Sequence, residues 1–125
     1  MTKKTRREKP GAKSPPRKVS RGKRVAAPPI AVIDMGASAV RLVVAETPQG
    51  EPAKILEEVS RGVLLGRDTF TNGRLDAATI EATLKALTGF KKIMDTYGVV
   101  RYRAVATSAV REAQNRETFL DRVRL

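Results

Sequence analysis

Cysteine and histidine are both absent from these 125 residues. Without cysteine there is no disulfide framework and no thiolate metal site, a composition that fits a reducing compartment. Without histidine, Ser-His-Asp catalysis and the commonest metal ligand are excluded. Any hydrolytic chemistry must therefore use carboxylates, hydroxyls, Lys, Arg and backbone amides. Tryptophan is also missing, and with three Phe and two Tyr the core has to be mostly aliphatic. No apolar run approaches the roughly 20 residues that span a bilayer. The N-terminal segment lacks the apolar stretch and small-residue cleavage site of a secretory signal. A cytoplasmic protein with no membrane partner is the expectation.

What is present is unevenly distributed. The formal net charge is +12, yet residues 1–29 hold eleven Lys and Arg against the single acid Glu8. Residues 30–125 hold fourteen basic and twelve acidic residues and are close to neutral. The first 29 residues also carry five prolines and almost no large apolar side chains. Such a segment buries too little surface to offset its ordering entropy and is expected to be a disordered basic tail. Pro28-Pro29 then stiffens the lead into residues 30–125.

The folded part opens on three extended runs: Ile30 to Asp34, Val40 to Ala45, and Lys54 to Leu65. Short connections, Met35 to Ala39 and Pro48-Gln-Gly-Glu-Pro52, join them, a pattern for an antiparallel meander. Gly66 to Gly73 reads as a polar loop. Asp76 is a good helix N-cap residue, and Ile80, Leu84, Leu87, Met94 and Tyr97, with Phe90 nearby, recur near a 3.6 period. Gly98 marks the stop. Val99 to Thr107 is a fourth extended run. Ser108 to Ala113 begins a second helix, which Asn115 restarts or caps, with Phe119, Leu120 and Val123 turned inward. The expected order is βββαβα, an α/β arrangement whose strand–helix–strand crossover makes the fourth strand parallel to its neighbour. That order opens a ribonuclease H-like lobe.

Two constellations carry chemistry. In Asp34-Met35-Gly36-Ala37-Ser38-Ala39-Val40-Arg41 an acid ends a buried strand, where a metal or a nucleophilic water could be held. Gly36 permits a tight turn with N–H groups pointing outward, as a phosphate cradle requires, and Ser38 adds a hydroxyl. A plain hairpin with a turn-facing Asp accounts for the same octapeptide. In Ala106-Thr107-Ser108-Ala109-Val110-Arg111-Glu112-Ala113 a strand runs into a helix start. Hydroxyls and helix dipole meet there as an anion site, with Arg111 one turn in to offer its planar fork of donors. N-capping by Thr107 or Ser108 beside a solvated Arg is the plainer account. Adjacent parallel strands would bring both loops to one edge of the sheet, where open α/β folds bind ligands.

Read together, these blocks resemble the exopolyphosphatase/guanosine pentaphosphate phosphatase (Ppx/GppA) family of the actin-like ATPase superfamily. That family opens with Asp-Leu-Gly-Ser-Asn-Ser-x-Arg-Leu, against Asp34-Met35-Gly36-Ala37-Ser38-Ala39-Val40-Arg41-Leu42 here. Its second block, Val-Ala-Thr-Ser-Ala-x-Arg-Glu-Ala-x-Asn, matches Val105 to Asn115 at every fixed position, and Phe119-Leu120 follow. Leu65-Gly66 and the helix from Asp76 sit where the family has its Leu-Gly loop and first helix. The departures are Ala37, Ser38 and Ala39 for Ser, Asn and Ser, and Leu64 where many members carry Arg. Phosphate binding at the first loop would then lean on backbone amides and Ser38.

The resemblance implies hydrolysis of a phosphoric anhydride, either inorganic polyphosphate or guanosine pentaphosphate, with Mg²⁺ as cofactor. Asp34 would place metal or water and Arg111 would neutralise developing charge. Gly36, Ala37, Ser38, Arg41, Thr107, Ser108 and Arg111 would bind phosphate. The whole protein is expected to be a homodimer. The family's general-base Glu and second phosphate loop fall beyond Leu125, so residues 30–125 correspond to about half of one lobe, inactive alone. A different class of function is non-specific binding of nucleic acid or another polyanion by the tail, through counterion release. No aromatic residue in the tail can stack on bases. A sugar kinase is disfavoured by the second block.

Overall fold

The computed structural model describes residues 26–124. The expected disorder of the basic tail concerns residues 1–25 and lies outside the described residues. Residues 26–29 enter the fold without regular secondary structure. The elements are β1 (Ile30–Met35), β2 (Ala39–Glu46), β3 (Lys54–Gly62), α1 (Leu65–Asn72), α2 (Ala77–Thr96), β4 (Arg101–Ala106), α3 (Ser108–Arg111) and α4 (Arg116–Arg124).

The four strands form one sheet in the order β3-β2-β1-β4. β1 to β3 are an antiparallel meander, and β4 lies parallel to β1 in the register Asp34↔Val105 and Met35↔Ala106. Alternation explains which face is covered. Ala31, Ile33 and Met35 of β1 and Val40, Leu42 and Val44 of β2 are buried. They meet Ile80, Phe90 and Met94 of α2, Phe119 of α4 and Val110 of α3 in one cluster. Each such aliphatic side chain contributes roughly 1.5–3 kcal/mol by leaving water. The intervening residues, Val32 and Asp34 on β1 and Arg41 on β2, face the other side, which no helix among the described residues covers.

Three local features differ from the sequence reading. The third strand ends at Gly62, short of the expected Leu65, and most of the loop expected over Gly66 to Gly73 is helix α1. The order is thus βββααβαα, with the chain after β4 broken into one turn, α3, and a longer α4. Asp76 takes the extended N-cap conformation, but its side chain makes no capping bond. Its own N–H instead donates to Asp68 Oδ2 at 3.0 Å, so an acid on α1 serves the start of α2. Tyr97, at the end of α2, pins β3 by donating its phenol to Glu57 Oε2 at 3.2 Å. Burial first, then the Glu57 hydrogen bond and charge, raise that phenol's pKa.

Candidate functional site

Gly36 to Ser38 link β1 to β2 as a tight turn. The Gly36 N–H donates to Ala39 O at 2.9 Å, so it closes the turn and does not face outward. The N–H groups of Ala37 and Ser38 have no backbone acceptor among the described residues. The two turn carbonyls are taken from behind: Gly66 N–H donates to Ala37 O at 2.8 Å, and Val63 N–H donates to Ser38 O at 3.0 Å. Ala37 and Ser38 are themselves exposed.

The second constellation is stitched to the first. Thr107 donates both its N–H, at 3.1 Å, and its hydroxyl, at 3.2 Å, to the Met35 carbonyl. This brings Thr107 and Ser108 to the same sheet edge as the turn. The bond also commits the Thr107 hydroxyl proton, leaving its oxygen lone pairs. Neither Thr107 nor Ser108 makes a side-chain cap. α3 is a single turn of four residues, so the dipole expected there is much weaker than that of a full helix. Arg111 is its last residue. Its guanidinium is exposed and forms no hydrogen bond or ion pair among the described residues, and its carbonyl accepts from Arg116 Nη1 at 2.8 Å.

Asp34 is partly buried on the open face, flanked in register by Arg41 and Val105. Arg41 leans the other way, with Nε 3.9 Å from Glu58 Oε1 and both side chains about half exposed. A pair so long and so wet is worth little and leaves Arg41 free to turn. Among the described residues no group of three or more acids, His or Cys could hold a metal ion. One carboxylate at Asp34 nonetheless suits Mg²⁺, which keeps most of its ligands as water and phosphate oxygens.

The structure therefore gathers Asp34, Gly36 to Ser38, Thr107 and Ser108, with Arg111 one turn further along the chain. Sequence reasoning missed what joins them. α1 reaches the first block through Gly66 and the second through Thr69, whose hydroxyl donates to Ala109 O at 2.6 Å. The α1–α2 connection continues the contact, with Gln114 N–H donating to Gly73 O at 2.9 Å. Asn115 then accepts from Leu75 N–H and donates to Leu75 O, both at 2.9 Å. Asp68 lies beneath, 1% exposed. Its Oδ1 has no hydrogen-bond partner and only an ion-pair contact with Arg67 Nη2 at 3.5 Å. Burial alone would raise its pKa. The Thr79 hydroxyl, the Asp76 N–H and the Arg67 charge together outweigh that and hold it below the usual carboxylate value.

The sheet and its helices define an α/β domain, and comparison with known proteins gives its kinship. The profile of the Ppx/GppA phosphatase family matches residues 42–125. Exopolyphosphatase 2 of Mycobacterium tuberculosis is 34% identical over 93 residues, covering 72% of this chain and 29% of the relative. A bifunctional 3-dehydroquinate synthase/phosphatase of Fusobacterium nucleatum is 34% identical over 99 residues, covering 74% of this chain and 15% of the relative. The crystal structure of the Aquifex aeolicus Ppx/GppA family member superposes with a TM-score of 0.73 at 41% identity, over 77% of this chain and 31% of that one. The chain belongs to the Ppx/GppA phosphatase family. It spans less than a third of the length of these relatives.

Proposed function

We propose that the chain supplies the part of a phosphoric-anhydride hydrolase that holds a terminal phosphate, the substrate being inorganic polyphosphate or guanosine pentaphosphate. The observation that carries this reading is the pair of unpartnered N–H groups at Ala37 and Ser38, beside Asp34 and the Thr107–Ser108 strand end. Backbone donors at a fixed turn bind phosphate oxygens without reorganising. The relatives named as exopolyphosphatases favour polyphosphate. The sheet reads as the opening of a ribonuclease H-like, actin-like lobe.

In this mechanism Ala37 and Ser38 amides grip the terminal phosphate, and the Ser38 and Ser108 hydroxyls add donors. Arg111 swings in to meet charge that builds on the transferring group. Asp34 would hold Mg²⁺ through its carboxylate, and the ion would supply positive charge to offset that of the phosphate chain.

The test is titration of ¹⁵N-labelled chain with tripolyphosphate, with and without Mg²⁺. Shifts should concentrate at the Ala37, Ser38 and Ser108 amides, and Asp34→Asn should remove the Mg²⁺ effect. Shifts confined to residues 1–25 would instead favour polyanion binding by the basic tail, for which its eleven Lys and Arg argue.

A further inference from the structure

Two donors from one short stretch fix both carbonyls of the 36–39 turn. The peptide unit is planar and trans, with its C=O and the next N–H pointing in opposite directions. No cis bond occurs among the described residues. Because Gly66 N–H takes the Ala37 carbonyl, the Ser38 N–H must point away from α1. Because Val63 N–H takes the Ser38 carbonyl, the Ala39 N–H turns from β3 towards the Gly36 side of the turn, where the Ala39 carbonyl accepts from Gly36 N–H. The outward set of the Ser38 amide is thus imposed from behind, by the first turn of α1.

Gly66 can do this only without a side chain. A Cβ there would lie 2.7 Å from Ala37 Cβ, 3.2 Å from Ala37 Cα and 3.3 Å from Ala37 O. The first distance is one that real Cβ atoms essentially never show, and neither atom is a movable side-chain end. Gly66 is itself buried, so α1 cannot simply tilt outward without exposing Leu65, which is fully buried.

We infer that Gly66 is a positioning residue for phosphate binding: its N–H and its missing Cβ let α1 seat on Ala37 and aim the Ser38 amide at the ligand. The inference rests on the phosphate reading of the turn. It predicts that residues 66 and 37 are coupled, since the clash depends on both.

The test uses the full 125-residue chain, tripolyphosphate as probe, and amide shifts with calorimetric affinity as readouts. Gly66→Ala should weaken binding by about tenfold or more, because small misplacement of an oriented donor set is costly. Gly66→Ala combined with Ala37→Gly removes the 2.7 Å contact and leaves backbone contacts of 3.2 and 3.3 Å that a shift of a few tenths of an ångström relieves, so affinity should return to within about threefold of wild type. If Gly66→Ala alone does not fold, the double variant decides. A folded double variant with near-wild-type affinity supports the coupling, and an unfolded or weakly binding one overturns it. A folded Gly66→Ala chain that binds as tightly as wild type also overturns it. A wild-type chain with no shift at Ala37 and Ser38 brings down the phosphate reading, and with it the role given to Gly66.

Discussion

The side-chain amide of Asn115 grips the backbone of Leu75 from both sides, accepting from its N–H and donating to its C=O at 2.9 Å each. The two residues lie 40 apart in sequence, so this one side chain holds the α1–α2 connection against the segment that follows Arg111. Asn115→Ala would leave two partly buried backbone groups of Leu75 unpartnered and should cost about 1–3 kcal/mol. Asn115→Asp keeps the acceptor, loses the donor and should fall between. Urea denaturation of the three proteins checks the order.

Asp68 makes stability depend on acid pH. Its pKa is lower in the folded chain than in the unfolded one. The unfolded state therefore binds its proton first as pH falls, and stability present above the unfolded value, about 3.9, is lost as pH drops through the folded pKa. Asp68→Asn should flatten that acid limb. At neutral pH it should cost about 1–3 kcal/mol, because the new amide places an NH₂ group or a weaker acceptor opposite Asp76 N–H. Melting curves between pH 2 and neutrality separate the two effects. An unchanged acid limb in the variant would assign it to other carboxylates.

Arg111 should matter to the ligand and little to the fold. Its guanidinium is exposed and makes no hydrogen bond or ion pair among the described residues, so Arg111→Ala should shift stability by no more than about 0.5 kcal/mol. Loss of a charge-assisted contact should weaken tripolyphosphate binding by about 1.5–3 kcal/mol. Arg111→Lys keeps the charge without the planar fork and should recover part of it. Calorimetric affinity alongside a thermal melt gives both numbers.

The outer edge of β4 should drive self-association. Among the described residues β4 ends the sheet, and Tyr102 on it and Val100 just before it are 62% and 73% exposed. Arg101 and Arg103 blunt this edge by charge but leave its ladder groups open. Sedimentation velocity should show concentration-dependent association, reduced in a Val100→Lys, Tyr102→Lys double variant. With so much apolar surface open, the chain should melt below about 55 °C.

Much of the sheet was legible because alternation and β-branched runs report strands directly. Ile30 to Met35 and Val40 to Ala45 show both the element and its buried face. The parallel placement of β4 followed from the crossover, and α2 from its apolar period and the Gly98 stop. α1 was hidden for a physical reason. Leu65-Gly-Arg-Asp-Thr-Phe-Thr-Asn72 has a glycine, two β-branched threonines and no apolar repeat, so its local preference for helix is weak. Tertiary contacts of Leu65, Asp68 and Thr69 supply what propensity does not. The site's residues were readable as motifs, whereas the direction of their groups was not. That Gly36 spends its N–H inside the turn, and that Thr107 spends its hydroxyl proton on Met35, depends on bonds no spacing reveals.

The bridging place of α1 has a dynamic consequence. Its first turn carries the donor that fixes the Ala37 carbonyl, and its middle carries the hydroxyl that fixes Ala109. Its eight residues have little helical preference of their own, so docking holds the helix formed. When it opens, the Ala37 and Ala109 carbonyls lose their partners in one event, while Val63 still holds Ser38 and Thr107 still holds Met35. The amides of Gly66 and Gln114, on separate segments of the chain, would then exchange with solvent at a common free energy. The two loops thus share one small lock whose release loosens both at once.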